Sequence, residues 1–168
     1  MKLSCIYGKK TLSAEEKEGY VTSVCADGFK ITGFKCADGD ETEFFIPVEK
    51  IKRIKDKIIY AQSGTASGKP VNLGKPSFDC EGNYLGKLTD VTAENYMITA
   101  VNVGNKKFSA DDIVLGDAVL IKSSARILKS DVKKNGKILI KRGTPLSPDV
   151  LKKAQEKGEY VQTNLKSI

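Results

Sequence analysis

The sequence predicts a mainly β protein: two small tandem β-barrels followed by a C-terminal appendage that contains a β-hairpin and a helix. Three observations favour this fold class. Short apolar runs alternate with polar residues, Asp-Gly and Asn-Gly dipeptides mark tight hairpin turns, and two successive segments are similar to each other. Closing such short strands into barrels would leave no exposed sheet edges, so we expect barrels rather than flat sheets.

The similarity between the two segments indicates a duplication. Placing Gly19 on Gly86 brings apolar positions into register without a gap. At this offset Val21 matches Leu88, Val24 matches Val91, Phe29 matches Tyr96, and residues 31–34 match 98–101. After a shorter hairpin in the second copy, residues 47–51 match 109–113, and one further deletion matches 56–60 with 117–121. Chance agreement between alternating strands is the alternative. The ordered series of matches favours a duplicated unit.

Each copy is predicted to form a meander of five or six short strands. In the first copy, tight turns are expected at Asp27-Gly28 and Asp38-Gly39, because Asp-Gly suits the positive φ values of hairpin turns. The predicted strands are residues 20–24, 43–46 and 58–61 in the first copy, and 85–91, 106–108 and 118–121 in the second.

The C-terminal part has a different pattern. Asn135-Gly136 between two short runs predicts a type I′ hairpin. Ser147 has the character of an N-cap, and proline at the next position favours a helix over Pro148–Lys157 that stops at Gly158. Tyr160–Thr163 is predicted to be a last strand.

Two small, polar segments predict the domain boundaries. Ser63–Gly68 and Ser123–Ala125 have the composition of linkers. We therefore expect one barrel unit over residues 1–65, a second over 66–123, and a basic C-terminal module over 124–168. Whether the two copies form separate barrels or one pseudo-symmetric body is left open by the sequence.

The positive charge is concentrated at the end of the chain. The net charge is +7, and the last 46 residues hold 11 Lys and Arg against 4 Asp and Glu, which accounts for the whole excess. Such a module favours an anionic partner, with a merely solvated basic face as the alternative. The candidate contact residues around the predicted hairpin are Lys129, Lys133, Lys134, Lys137, Lys141 and Arg142. Since residues 123–159 contain no aromatic side chain, base stacking is not favoured.

Composition argues against the common kinds of enzyme. The chain has no histidine, which excludes Ser-His-Asp and Cys-His catalysis. The cysteines form no C-x-x-C pair, and acidic residues such as Asp111, Asp112 and Asp117 are common in barrel turns, so we expect no catalytic residue, no metal and no cofactor. An enzyme that uses carboxylates or a thiol of low pKa is the alternative.

Neither a long apolar run nor a signal-peptide pattern is present, which predicts a cytoplasmic protein whose cysteines are free thiols.

Residues 75–91, from Lys75 to Val91, resemble the opening of a PRC-barrel domain, and residues 109–121 resemble its closing strands. The resemblance covers residues 69–122, and extends to residues 1–62 only through the internal repeat. PRC-barrels occur in ribosome maturation factors, in the photosynthetic reaction-centre H subunit and in bacterial proteins with two barrels, to which this chain is most similar. The resemblance implies a binding or assembly module rather than a catalyst.

Together these observations predict a non-enzymatic adaptor of the PRC-barrel type that binds a protein partner. The alternative is an RNA- or ribosome-associated factor that uses the basic C-terminal module. Peripheral contact with an anionic membrane and homo-oligomerisation are further possibilities that the sequence leaves open.

Overall fold

A computed structural model describes residues 1–123 and 125–167. Ser124, in the second predicted linker, and Ile168 lie outside the described residues. The chain is mainly β, as predicted. It divides into two compact units: the first comprises Met1–Lys75 and Lys87–Asp111, and the second comprises Pro76–Gly86 and the chain from Asp112 onward. The division into two barrel units, residues 1–65 and 66–123, and a C-terminal module, residues 124–168, stays a prediction.

The strands occur where the alternating patterns predict them. Those of the first copy are β1 Lys10–Ser13, β2 Glu18–Asp27, β3 Lys30–Ala37, β4 Glu43–Pro47, β5 Ile51–Ile54 and β6 Ile58–Tyr60, followed by the short β7 Lys69–Pro70. Those of the second copy are β8 Pro76–Phe78, β9 Tyr84–Glu94, β10 Met97–Val103, β11 Lys106–Ser109, β12 Ile113–Leu115 and β13 Val119–Ile121. The C-terminal module contains β14 Val132–Lys134, β15 Lys137–Ile140, α1 Pro148–Glu156 and α2 Tyr160–Leu165.

The two copies repeat one pattern of strand pairing. In the first, β1 is parallel to β6 while β5 is antiparallel to β6, and in the second β8 and β12 flank β13 in the same way. A short 3-10 helix precedes β5 and another precedes β12. Each copy also has a hydrogen bond from the residue after its last strand to the last residue of its 3-10 helix. Ala61 N–H donates to Lys50 O (2.9 Å) in the first copy, and Lys122 N–H donates to Asp112 O (2.8 Å) in the second. This is the register that the sequence alignment predicts.

The hairpins at the centre of the copies also correspond. Strands β2 and β3 are joined by the two residues Gly28 and Phe29, and strands β9 and β10 by Asn95 and Tyr96. Asn95 and Tyr96 both have positive φ (48° and 62°), as a type I′ turn requires.

The sheet of the first unit is open. Its strands follow the order β9-β10-β3-β2-β1-β6-β5, with β11 beside β10, β4 beside β3 and β7 beside β2. Alternate residues of these strands form a buried core that includes Val24, Phe34, Ile46, Val91 and Val101. Within the described residues β5 has no pairing back to β9, so closure of each copy into its own barrel stays a prediction.

The second unit contains three of the sheet's strands, paired in the order β12-β13-β8, and the C-terminal module. The module has a small core of its own, made of Leu128, Val132, Ile140, Leu146 and Ala154.

The predicted caps and hairpin of the module are confirmed. Asn135 and Gly136 have φ values of 52° and 76°, and they join β14 to β15. The hydroxyl of Ser147 accepts a hydrogen bond from Val150 N–H at 3.2 Å, which caps α1. The helix ends at Glu156, with Lys157 as C-cap and Gly158 in the left-handed conformation (φ 76°).

The predicted last strand over Tyr160–Thr163 is wrong, because these residues begin helix α2. Two side chains satisfy backbone carbonyls one turn back. The Thr163 hydroxyl donates to Glu159 O at 2.7 Å, and the Asn164 amide donates to Tyr160 O at 2.9 Å. β propensity depends on how side chains pack, and Tyr160 and Val161 are exposed. Their preference for strands therefore does not determine the conformation of residues 160–163.

Candidate binding surfaces

All six basic residues predicted around the hairpin are exposed. Lys133, Lys134 and Lys137 lie on the hairpin strands, Lys129 precedes them, and Lys141 and Arg142 follow. Within residues 1–123 and 125–167, none of these six side chains forms an ion pair with a carboxylate. The structure thus brings the six together in one small module.

Lys134 differs from the others because it has a structural partner. Its ammonium donates to the carbonyl of Lys157, the C-cap of α1. A cation at this position also interacts favourably with the negative end of the helix dipole. We therefore assign Lys134 to the fold and keep the other five as candidates for partner contacts.

Helix α2 lies alongside strand β14. The N–H of Lys133 donates to the side-chain oxygen of Gln162 (3.3 Å), and the N–H of Lys129 donates to Lys166 O (2.8 Å). The Lys166 ammonium donates in turn to Asp131 O at 2.7 Å. These bonds fix Lys129 and Lys133 next to the helix.

The outward side of α2 is apolar. Val161 and Leu165 are separated by one turn, so they lie on one face of the helix, opposite the buried Thr163. They are 69% and 80% exposed. The module also exposes Ile127, Ile138 and Tyr160. We call Val161 and Leu165 the α2 ridge.

A second apolar surface lies on the three-stranded sheet of the second unit. Val114 of β12 pairs with Leu120 of β13, which pairs with Phe78 of β8. We call these three residues the outer row. Val114 is 51% exposed and Leu120 46% exposed, whereas their strand neighbours Ile113 and Ile121 are buried on the other face. The row is extended by Tyr84, whose ring centre is 5.8 Å from that of Phe78.

An open groove of about 520 Å³ follows the outer row. Pro148 at the start of α1 and Cys80 border it, and Lys122 lies on its rim. Strand β12 is an edge strand, since no described strand pairs with its outer side. The groove therefore adjoins a row of backbone groups that can pair with another strand.

The turn beneath the groove is held by Asp79, which is only 3% exposed. One carboxylate oxygen accepts from the N–H groups of Glu81 (2.9 Å) and Asn83 (2.8 Å). The other accepts from the Asn83 amide (2.9 Å) and from Ala125 N–H (2.6 Å). Burial alone would raise the pKa of Asp79, but these bonds stabilise the charged form and lower its pKa below the ordinary value.

No model of a known protein family matches the chain, and the comparison with curated proteins finds no relative. The two surfaces are therefore assessed on their geometry and chemistry.

Cys25, Cys36 and Cys80 lack the lowered pKa of a reactive thiol. All four are unpaired, and Cys25 and Cys36 are buried. Burial raises the pKa of Cys25, and it raises the pKa of Cys36 to about 12. The pKa of Cys80 is also raised, first by desolvation and then by the neighbouring carboxylates Asp79 and Glu81. A nucleophilic thiol needs the opposite shift.

Asp111 and Asp112 lie in the 3-10 helix before β12, and Asp117 lies between β12 and β13. In the described parts of the chain, no group of three or more Cys, Asp or Glu side chains is arranged to hold an ion. Nor does any helix there combine the length and the apolar character needed to cross a bilayer.

Sequence reasoning found the basic residues and missed both apolar surfaces. Residues 113–115 and 119–121 are continuous apolar runs, which are typical of strands covered on both faces. Such runs give no signal of which face is left uncovered. The α2 ridge does not follow from the sequence, because the pattern over Tyr160–Thr163 predicts a strand and not a helix.

Proposed function

We propose that the chain is a non-enzymatic adaptor of the PRC-barrel type that binds a protein partner at the outer row and the edge of β12. The resemblance of residues 75–91 and 109–121 to PRC-barrels supports the assignment to the PRC-barrel type. The pairing in the first copy supports a barrel as well, since six strands follow one another in the order β4-β3-β2-β1-β6-β5. Its end strands β4 and β5 are joined by a single 3-10 helix, Val48–Lys50.

The observation that carries the proposal is the exposed outer row beside an unpaired strand edge. Exposed apolar side chains that lie next to one another are typical of an interaction site. An edge strand offers main-chain hydrogen bonds to an incoming extended segment, and the adjacent groove can accept alternate side chains of that segment.

Charge favours an extended segment of a different protein with Lys or Arg at its ends. The exposed carboxylates Asp112 and Asp117 flank β12 on both sides. If a second copy paired antiparallel about Val114, the exposed carboxylates beside β12 in the two chains would come together at both ends of the paired strands, and like charges brought together destabilise such a pair. A basic-flanked segment would instead gain two favourable contacts.

The test is an affinity purification of tagged protein from its native cells, with and without nuclease, combined with a photo-crosslinking residue at position 114. We expect a discrete partner that survives nuclease and crosslinks through a segment with basic flanks. Val114→Arg should reduce its recovery by about tenfold or more, as expected for loss of a central contact. The matched control is Met97→Arg, an exposed apolar residue of the first unit, which should retain the partner.

A partner that is retained by Val114→Arg would contradict the proposal. The alternative, an RNA- or ribosome-associated factor, is supported by the five exposed basic residues of the module. It predicts ribonucleoproteins that vanish after nuclease and after Lys133→Gln with Lys137→Gln, and that are unaffected by Val114→Arg.

We also propose a cytoplasmic location. Cys5 and Cys80 are exposed, unpaired thiols, which are more common in reducing compartments than in oxidising ones.

A further inference from the structure

The C-terminal module combines two features that the proposed adaptor role does not use. It carries the entire excess of positive charge of the chain, and it exposes aliphatic side chains on α2. Either feature alone is ordinary for a surface. Their combination in one small module limits the kinds of partner that would benefit from both.

We propose that the C-terminal module binds the surface of an anionic lipid membrane, with the α2 ridge entering the interface and neighbouring lysines contacting headgroup phosphates. The inference does not rest on the proposed protein-binding site. It concerns other residues, and either proposal can fail without the other.

The geometry of α2 suits an interfacial contact. Val161 and Leu165 lie opposite the buried Thr163, so they are the part of the helix that extends furthest from the module. Aliphatic side chains presented in this way gain free energy by entering the boundary between headgroups and acyl chains. The helix has only six residues, so the contact is shallow and reversible.

Positive charge is carried by residues whose backbone adjoins α2. The N–H of Lys129 bonds to a backbone carbonyl of Lys166, the N–H of Lys133 bonds to the Gln162 side chain, and Lys137 is on the hairpin strand that pairs with the Lys133 strand. No carboxylate pairs with these three lysines in the described residues. Juxtamembrane basic clusters of this kind are attracted to anionic lipid, and the attraction falls with added salt.

A nucleic acid would use the lysines but not the ridge. Single-stranded RNA binding draws on aromatic side chains that stack with bases, whereas Val161 and Leu165 are aliphatic. Phosphate contacts need only the charges. Because the most exposed side chains of α2 are apolar and not aromatic, the observations favour lipid over RNA.

The chain contains no tryptophan, which provides a direct readout. Val161→Trp would place the sole tryptophan on the ridge. We expect its fluorescence to shift to shorter wavelength with vesicles of phosphatidylcholine mixed with phosphatidylglycerol, and not with phosphatidylcholine alone. The control is Met97→Trp, at an exposed apolar position of the first unit, which should show no shift.

Co-sedimentation of the full chain with the same vesicles gives the affinity. Val161→Ser with Leu165→Ser should weaken binding about tenfold, and Lys129→Gln with Lys133→Gln should do the same while reducing the salt dependence. These positions are exposed, and circular dichroism with thermal unfolding would verify that each variant folds. Met97→Ser, a serine substitution at an exposed apolar position of the first unit, should bind vesicles like the unmodified chain.

Three results would overturn the inference. The first is absence of binding to anionic vesicles at low salt. The second is vesicle binding that depends on the lysines but is unchanged by the two serine substitutions, which would indicate attraction to any polyanion. The third is tighter binding to a single-stranded RNA oligonucleotide that displaces the vesicles and is insensitive to the serine substitutions.

Discussion

The two copies of the repeated unit carry the same three-stranded arrangement with different outer surfaces. In the second copy the outer row is Val114, Leu120 and Phe78. The equivalent row of the first copy is Arg53, Ile59 and Leu12, from strands β5, β6 and β1. The centre of each row is apolar, whereas one end is an arginine in the first copy and a valine in the second.

The other end of the row differs in the same way. Leu12 pairs with Glu18, which forms an ion pair with Lys57 at 3.6 Å, while Phe78 contacts the ring of Tyr84. Charges on an edge discourage pairing with other chains. The first copy thus carries a charge on the edge strand itself, at Arg53, whereas the second copy has charges only beside its edge strand, at Asp112 and Asp117. The two copies therefore share one strand arrangement, and the residues at the ends of the row decide whether its surface is a candidate binding site.

The capping turns of the copies differ as well. Ser13 and Asp79 occupy the same place, at the end of β1 and of the equivalent β8. The Ser13 hydroxyl accepts from the N–H groups of Glu15 (3.2 Å) and Lys17 (3.0 Å), as one oxygen of Asp79 does in its own turn. The second oxygen of Asp79 also accepts from Ala125 N–H, so the carboxylate ties the start of the C-terminal module to the turn.

Replacing Asp79 is expected to have the largest effect on stability. Asp79→Ala removes a buried carboxylate that accepts four hydrogen bonds from the turn and from Ala125, and should lower the free energy of unfolding by about 3 kcal/mol. Asp79→Ser, which installs the residue of the first copy, should keep the turn and cost about 1 kcal/mol. Urea unfolding measures both values, and amide exchange at Ala125 should accelerate in each variant.

The matched control for this comparison is Ser13→Ala. It should cost about 1 kcal/mol and leave exchange at Ala125 unchanged, because the hydrogen bonds of the Ser13 side chain go to its own turn and to the Tyr60 side chain. Equal acceleration at Ala125 in Ser13→Ala and Asp79→Ser would show that the second oxygen of Asp79 has no special role.

A smaller effect is expected at Gly33, which aligns with Ala100 of the second copy. A Cβ at Gly33 would collide with the carbonyl oxygen of Ile46 and with the ring of Phe45. Gly33→Ala should therefore destabilise the first unit by about 2 kcal/mol through overpacking. Ala100→Gly, the reverse exchange, should cost about 1 kcal/mol or less through backbone entropy. Equal costs in thermal unfolding would mean that both the Phe45 ring and the Ile46 carbonyl shift at little cost.

Local signals explain how much of this fold the sequence predicts. Asn135-Gly136, the Ser147 cap and Gly158 are each determined by the backbone conformation that one or two residues require, so they could be located without tertiary information. The strands also follow from alternation. The choice between a strand and a helix at Tyr160–Thr163 depends on a buried Thr163 and its bond to Glu159 O, which no sequence pattern reveals.

The candidate sites also differ in how far the sequence predicts them. Charge is a property of composition, so the basic residues could be named from the sequence, but the role of Lys134 as a partner of the α1 terminus could not. The outer row consists of apolar residues inside apolar strands. Whether Val114 and Leu120 are covered depends on what packs against them, and that is a tertiary property.

The smallest expected effect is a difference between the copies in acid. Asp90 of the second copy accepts bonds from the N–H (3.0 Å) and hydroxyl (2.7 Å) of Ser4. As for Asp79, burial opposes the charged form, but hydrogen bonds outweigh burial and lower the pKa of Asp90. The aligned residues of the first copy, Ser13 and Ser23, do not titrate.

A lowered carboxyl pKa stabilises the folded state above the unfolded value of about 3.9, and this contribution is lost as the pH falls through the folded-state pKa. Between about pH 5 and pH 2, amide exchange corrected for intrinsic rates should therefore increase at Ala125 and Ser4 before it increases at Lys17. Asp79→Ser should remove the pH dependence at Ala125 and preserve that at Ser4. Simultaneous opening at all three amides would mean that acid unfolds the copies as one cooperative body, and that the carboxylates of the second copy give it no separate sensitivity to pH.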